Sequence, residues 1–85
     1  MPEAESQLKA ARRKVVGSKQ TAKAIARGEA KLVFVAADAD ARLCEEIARQ
    51  AAEKGIPVIT VESMNAIGRA CGIDVGSAAA AVIEE

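Results

Sequence analysis

The segment Gly17-Ser18-Lys19-Gln20-Thr21-Ala22-Lys23 joins a glycine to small hydroxyl residues and to two lysines four positions apart. On a helix that spacing puts Lys19 and Lys23 on one face, with Gln20 and Arg27 beside them. The free backbone N–H groups at a helix start suit anionic oxygen. Glutamine adds a donor and an acceptor for a base edge, while lysine suits phosphate or purine acceptors. Gly17 allows another backbone to come close. Such a face can bind a polyanion that also carries bases to read. Taken alone, the same residues equally describe an ordinary solvated basic helix.

A second feature is Ile73-Asp74-Val75, set between Gly72 and Gly76. Apolar side chains in a loop between glycines can press on a nucleobase or a protein partner. Read from the residues alone, the favoured expectation is that they tuck into the core as the last strand begins. Asp38 and Asp40 follow a strand, as a metal or phosphoacceptor site would. Capping of the next helix is the favoured role, because a carboxylate accepts readily from first-turn N–H groups.

Other chemistry is absent. The chain has no His, Tyr or Trp, so no ordinary side chain titrates near neutrality. There is no Cys–His pair, no GxSxG and no Gly-Lys-Ser/Thr phosphate loop. Cys44 and Cys71 make neither a CxxC nor a zinc set; they read as small buried hydrophobes of a reducing cytoplasm. No cofactor and no catalysis are expected.

Net charge is zero over the 85 residues, but it is segregated. Between Lys9 and Lys31, eight basic residues oppose Glu29 alone, a net +7. From Leu32 onward four basic residues oppose nine acids, a net −5, and Glu3 with Glu5 supplies the remaining −2. This asymmetry suits a polyanion-binding face on a neutral, soluble protein. No apolar run approaches the roughly 18 residues of a membrane span, and the start of the chain lacks a signal-peptide core. A cytoplasmic location is the expectation.

A hydrophobic share of 51% supports one globular domain, although Phe34 is the only aromatic residue. The elements follow from propensity and punctuation. Glu3 to Lys14 is rich in helix formers. Val15-Val16 makes a very short strand, and Ser18 is placed to cap a helix from about Lys19 to Arg27, ended by Gly28. The apolar run Leu32 to Ala36 reads as a strand buried on both faces. The next helix carries Leu43, Ile47, Ala48 and Ala51 on one face and closes at Gly55. Pro57 to Val61 is a strand. Ser63 caps a helix from Met64 to Cys71, and Gly72 ends it. Ala78 to Ile83 reads as a last strand, with helix as the alternative. Alternation of this kind points to a central sheet with helices on both faces.

Several segments, in order, resemble the ribosomal-protein family named L-seven-Ae, which includes L-thirty-e and the bacterial YbxF-type proteins. They are Val16 to Ile25, Ala30 to Asp40, Val61 to Met64, and Ile67 to Gly76. The resemblance covers about residues 15–83, after an N-terminal helix within residues 1–14. It implies a single-domain, three-layer α/β/α sandwich with a mixed four-stranded sheet. It also implies binding of kink-turns, sharply bent RNA duplexes with tandem sheared G·A pairs. Lys19, Gln20 and Lys23 would then face the guanines and Arg27 a phosphate, with the backbone of Gly17 and Ser18 close to the RNA. Ile73, Asp74 and Val75 would cover the extruded nucleotide, with Asp40 nearby. The implied partners are structured RNA, ribosomal or regulatory, and the ribosome itself, bound by a monomer. Two departures stand out. Lys19-Gln20 replaces the Asn-Glu of archaeal and eukaryotic members, as in the bacterial subgroup, and Ala41 replaces a proline after the acidic turn. The competing reading is a protein-interaction module whose basic face binds RNA only non-specifically.

Overall fold

The computed structural model describes residues 3–85; Met1 and Pro2 of the expected N-terminal segment lie outside them. Eight elements follow in chain order: α1 (Glu3–Ala10), β1 (Arg13–Val16), α2 (Ser18–Ala26), β2 (Leu32–Ala36), α3 (Ala41–Glu53), β3 (Val58–Val61), α4 (Met64–Cys71) and β4 (Ala79–Glu84). The sheet order is β1-β4-β2-β3. β4 runs antiparallel to both β1 and β2, while β2 and β3 are parallel. The sheet is therefore mixed.

Alternation along the central strands divides the core. Val33 and Val35 of β2, with Ala79 and Ala81 of β4, point to one face and meet Ile25, Ile47 and Ala51 of α2 and α3. Phe34 and Ala36, with Ala80 and Val82, point to the other face and meet Leu8, Ile67 and Ala70 of α1 and α4. The result is the expected three-layer α/β/α sandwich. Phe34 is fully buried, and Ala79, Ala80 and Ala81 are completely covered. A central strand of alanines lets helices press close on both faces, so the core reaches density with almost no aromatic volume.

Local boundaries differ from propensity where distant pairing intervenes. α1 stops at Ala10 instead of running to Lys14. The chain is drawn off by β4: Arg12 N–H donates to the Glu84 carbonyl (2.9 Å), and Arg13 to Val16 pair with Glu84 to Ala80. The short strand thus gains Arg13 and Lys14. Lys14 Nζ turns back to donate to the Leu8 and Lys9 carbonyls (3.0 and 2.9 Å), satisfying acceptors left over at the end of α1. β3 starts at Val58, one residue after Pro57. The last segment is a strand, Ala79–Glu84, shifted one residue from expectation. Both cysteines are free and only half-buried, more open than the buried hydrophobes expected. Cys44 Sγ donates to the Ala36 carbonyl at 3.4 Å. No helix among the described residues is long and apolar enough to cross a membrane.

Candidate nucleic-acid interface

Strand direction decides which loops meet. β1, β2 and β3 all run the same way, and β4 runs against them. One end of the sheet therefore gathers the starts of α2, α3 and α4, together with the loop from Gly72 to Ala78 that leads into β4. Three helix N-termini point out there, each with the positive end of its dipole, and α2 alone of the three lacks a side-chain cap.

Gly17 leads into α2 with φ 104° and ψ 148°, a conformation that side chains bearing a Cβ avoid. It is the N-cap residue, and no side chain caps α2. Ser18 is thus the first residue of the helix and not its cap, which leaves the N-terminal N–H groups without a side-chain acceptor. Nothing lies within 4 Å of where a Gly17 Cβ would sit, so this backbone is open to an approaching ligand. Gly17 N–H donates to the Ala79 carbonyl at 2.9 Å, which fastens the helix start to the root of the α4–β4 loop.

Lys19, Gln20, Lys23 and Arg27 are all exposed along α2. Beneath them Thr21, Ala24 and Ile25 are buried, so the inner face fixes the helix and the outer face is free to bind. Arg27 is the C-cap residue. At about 1.5 Å per residue it lies roughly 12 Å along the axis from Lys19, so it belongs to the flank of the interface. The Thr21 hydroxyl is buried with no hydrogen-bond partner among the described residues.

The loop is held by backbone packing. Gly68 of α4 leaves room for the Val75 carbonyl, which a Cβ at Gly68 would strike. Gly76 sits against Met64, whose Cβ would lie 3.0 Å from a Gly76 Cβ. Ser77 N–H donates to the Met64 carbonyl (3.1 Å), and Ser77 Oγ donates to the Ala79 carbonyl (2.8 Å). Anchored in this way, Ile73 and Val75 stand 39% and 69% exposed. The favoured expectation that they tuck into the core is therefore corrected: the core ends at Ser77, and the loop bulges outward because α4 supplies its backbone partners. Asp74 is exposed between them.

Asp40 accepts from Arg42 N–H (2.8 Å) and Leu43 N–H (3.3 Å), so it caps α3. Asp38 does something the sequence did not suggest. Its Oδ1 accepts from Met64 N–H at 2.8 Å and ties the β2–α3 turn to the start of α4. Ser63 caps α4 as expected, accepting from Ala66 N–H at 3.1 Å. Sequence reasoning also missed Met64, which is 36% exposed and extends the apolar patch of Ile73 and Val75. Its one signal is an apolar side chain in the first turn of a helix whose start faces solvent.

The groups with shifted pKa values are the two thiols and the Arg49–Glu46 pair on α3. Burial, then Asp40, pushes the Cys44 thiol up despite its bond to Ala36, and burial likewise raises Cys71. The exposed Arg49 guanidinium, bonded to Glu46 and Glu53 on α3, lowers Glu46. No group of three metal-ligating side chains occurs among the described residues.

The pattern of the Ribosomal protein L7Ae/L30e/S12e/Gadd45 family matches residues 1–85. The chain belongs to this family. Among L7Ae-type relatives, an RNA-binding protein of Bacillus pumilus is 45% identical over 69 residues, which is 81% of this chain and 84% of that one. RNA-binding protein YbxF of Geobacillus stearothermophilus is 46% identical over the same shares. The large ribosomal subunit protein eL8 of Halobacterium salinarum is 48% identical over 79% of this chain and 57% of its own. In structure, a 15.5 kD RNA-binding protein of Giardia lamblia superposes with a TM-score of 0.87 at 30% identity, covering 98% of this chain and 72% of that one. The family's fold is thus the one described above.

Proposed function

We propose that this chain is a non-catalytic RNA-binding protein that recognises kink-turns. The observation that carries this reading is the convergence, at one end of the sheet, of an uncapped basic helix start and an exposed apolar loop. The two halves suit the two parts of such an RNA. Lys19, Gln20 and Lys23 offer charge and paired donors and acceptors to guanine edges in a groove opened by the bend, and Arg27 meets phosphate along the flank. Gly17 and Ser18 let the backbone approach. Ile73 and Val75 cover the extruded nucleotide by apolar contact, since RNA is read largely through splayed bases and shape. Asp74 and Asp40 border that contact, Asp40 while capping α3. The RNA is ribosomal or another structured non-coding RNA, bound by a cytoplasmic monomer, and the similarity to an archaeal ribosomal protein favours work at the ribosome.

The test is the double substitution Lys19→Ala with Gln20→Ala. Both side chains are exposed, so stability should hold within about 0.5 kcal/mol. Two base contacts at about 1–3 kcal/mol each amount to a loss of roughly thirtyfold or more in kink-turn affinity. Unchanged affinity would remove these residues from the interface. Steeply salt-dependent binding that ignores RNA shape would instead assign this end of the sheet to a protein partner.

A further inference from the structure

The basic side chains do not stop at the candidate RNA interface. Lys19, Lys23 and Arg27 recur every four residues and follow the exposed side of α2. From Lys19 to Arg27 the helix covers about 12 Å. From Gly17 back to Arg13, β1 covers roughly 13 Å at about 3.3 Å per residue. The end of α2 therefore comes level with the start of β1, and Ile25 packs in one cluster with Val15 of β1 and Ala81 of β4.

Two further cations lie at that end of the sheet, on the same side as α2. Leu32 packs with Phe34 on the α1 and α4 side, so alternation sends Lys31 to the α2 side. Lys31 N–H donates to the Val82 carbonyl (2.7 Å), which fixes its place beside β4. Val15 packs on the α2 side, and Lys14 reaches the end of α1 on the other, so Arg13 turns to the α2 side. The register jump beside it skips Ile83 of β4, and β1 itself keeps its alternation. Because β1 and β2 flank β4, Arg13 and Lys31 stand about 10 Å apart, two strand spacings. Arg13, Lys19, Lys23, Arg27 and Lys31 are all exposed, and none forms an ion pair among the described residues. The acids closest in chain or ladder are Glu29, in the turn after α2, and Glu84, opposite Arg13, so the strip stays positive.

We propose that this strip is a phosphate track for one arm of the bound RNA, with Arg13 and Lys31 as its far end. The proposal rests on the kink-turn reading above and carries the interface from the bend to the duplex beyond it. An arm leaving the start of α2 and running beside the helix passes Lys23 and Arg27 and then reaches Arg13 and Lys31. Beyond Gln20 the strip offers charge and no amide side chain. It therefore suits a sugar–phosphate backbone and not base edges, and adds affinity and salt dependence without sequence preference.

The probes are kink-turn RNAs with intact G·A pairs, one with both arms short and two with one arm or the other extended by a full helical turn. Each has a counterpart with the G·A pairs replaced. Binding to the full chain is read by fluorescence anisotropy over a series of salt concentrations. One of the two extended RNAs should bind about tenfold more tightly than the short one. Arg13→Gln with Lys31→Gln should abolish that gain and flatten the log–log salt slope for the extended RNA by about 2, leaving the short RNA as it was. Arg13→Lys with Lys31→Arg should keep both, because a phosphate contact of this kind asks for charge. Equal affinity for short and extended RNAs with the G·A preference intact would overturn the proposal alone, as would an equal loss on both RNAs in the glutamine variant. Loss of the G·A preference at every arm length would overturn the kink-turn reading and the proposal with it.

Discussion

Gly68→Ala puts a single methyl where the structure has no room for it. In an exposed helix interior the change would stabilise by about 1 kcal/mol, because alanine is the better helix former. Here the new Cβ would strike the Val75 carbonyl oxygen and lie 3.1 Å from its carbon and 3.3 Å from the Gly76 Cα. All three are backbone atoms, so no side-chain rotation relieves the clash. Overpacking of this kind costs about 1–3 kcal/mol. Displacing the loop also strains the bond from Ser77 N–H to the Met64 carbonyl, worth about 1 kcal/mol. The balance is a loss of about 2 kcal/mol. For a domain of this size that lowers Tm by roughly 8–16 °C. Thermal unfolding followed by circular dichroism measures it, and amide shifts should centre on residues 64–68 and 73–77. RNA affinity should fall as well, because the same loop presents Ile73 and Val75. An unchanged or raised Tm would refute the reasoning: the loop would then yield freely, and α4 would not be what holds it outward.

Thr21→Val should raise stability by about 1 kcal/mol, since a buried hydroxyl without a partner costs more than the methyl that replaces it; a lower Tm would mean that the hydroxyl has a partner. Asp40→Ala removes the α3 cap seen at Arg42 and Leu43 N–H and should cost about 1 kcal/mol, read as a lower urea midpoint. Thiol alkylation at neutral pH should be slower at Cys44 and Cys71 than in a denatured control, because both thiols are pushed up. A raised pKa in the folded chain means that the stability it contributes is complete below the ordinary thiol range and is lost as pH climbs through the raised values. A Tm that rises above that range would contradict the assignment.

Much of the fold was written in local pattern. The apolar run Leu32–Ala36 could only be a doubly buried strand, and α4 was bounded by Ser63 and Gly72 as its caps require. Errors arose where the cause lies far along the chain. Propensity carried α1 on to Lys14, but β4, some seventy residues away, claims Arg13 and Lys14 for the ladder. The lysine then serves the helix it was expected to extend. Ser18 had the right residue type for a cap, yet the bond between Gly17 and Ala79 starts the helix one residue earlier.

The candidate site was legible in residue type and not in assembly. The lysines and Gln20 announced a basic helix face. That Ile73 and Val75 would be exposed depends on Gly68 and Gly76 admitting close backbone contacts, which spacing alone does not encode. The role of Asp38 as a tie to Met64 spans 26 residues, and the site's third apolar contributor, Met64, is visible only once that tie is in place.

The central claim, recognition of a kinked RNA by the basic helix start and the apolar loop together, is tested most directly by a titration at physiological salt. One RNA carries a kink-turn with its G·A pairs intact, and the other has those pairs replaced by Watson–Crick pairs. The account predicts at least a hundredfold preference for the intact RNA, about 2.7 kcal/mol. Equal, weak binding to both would contradict it.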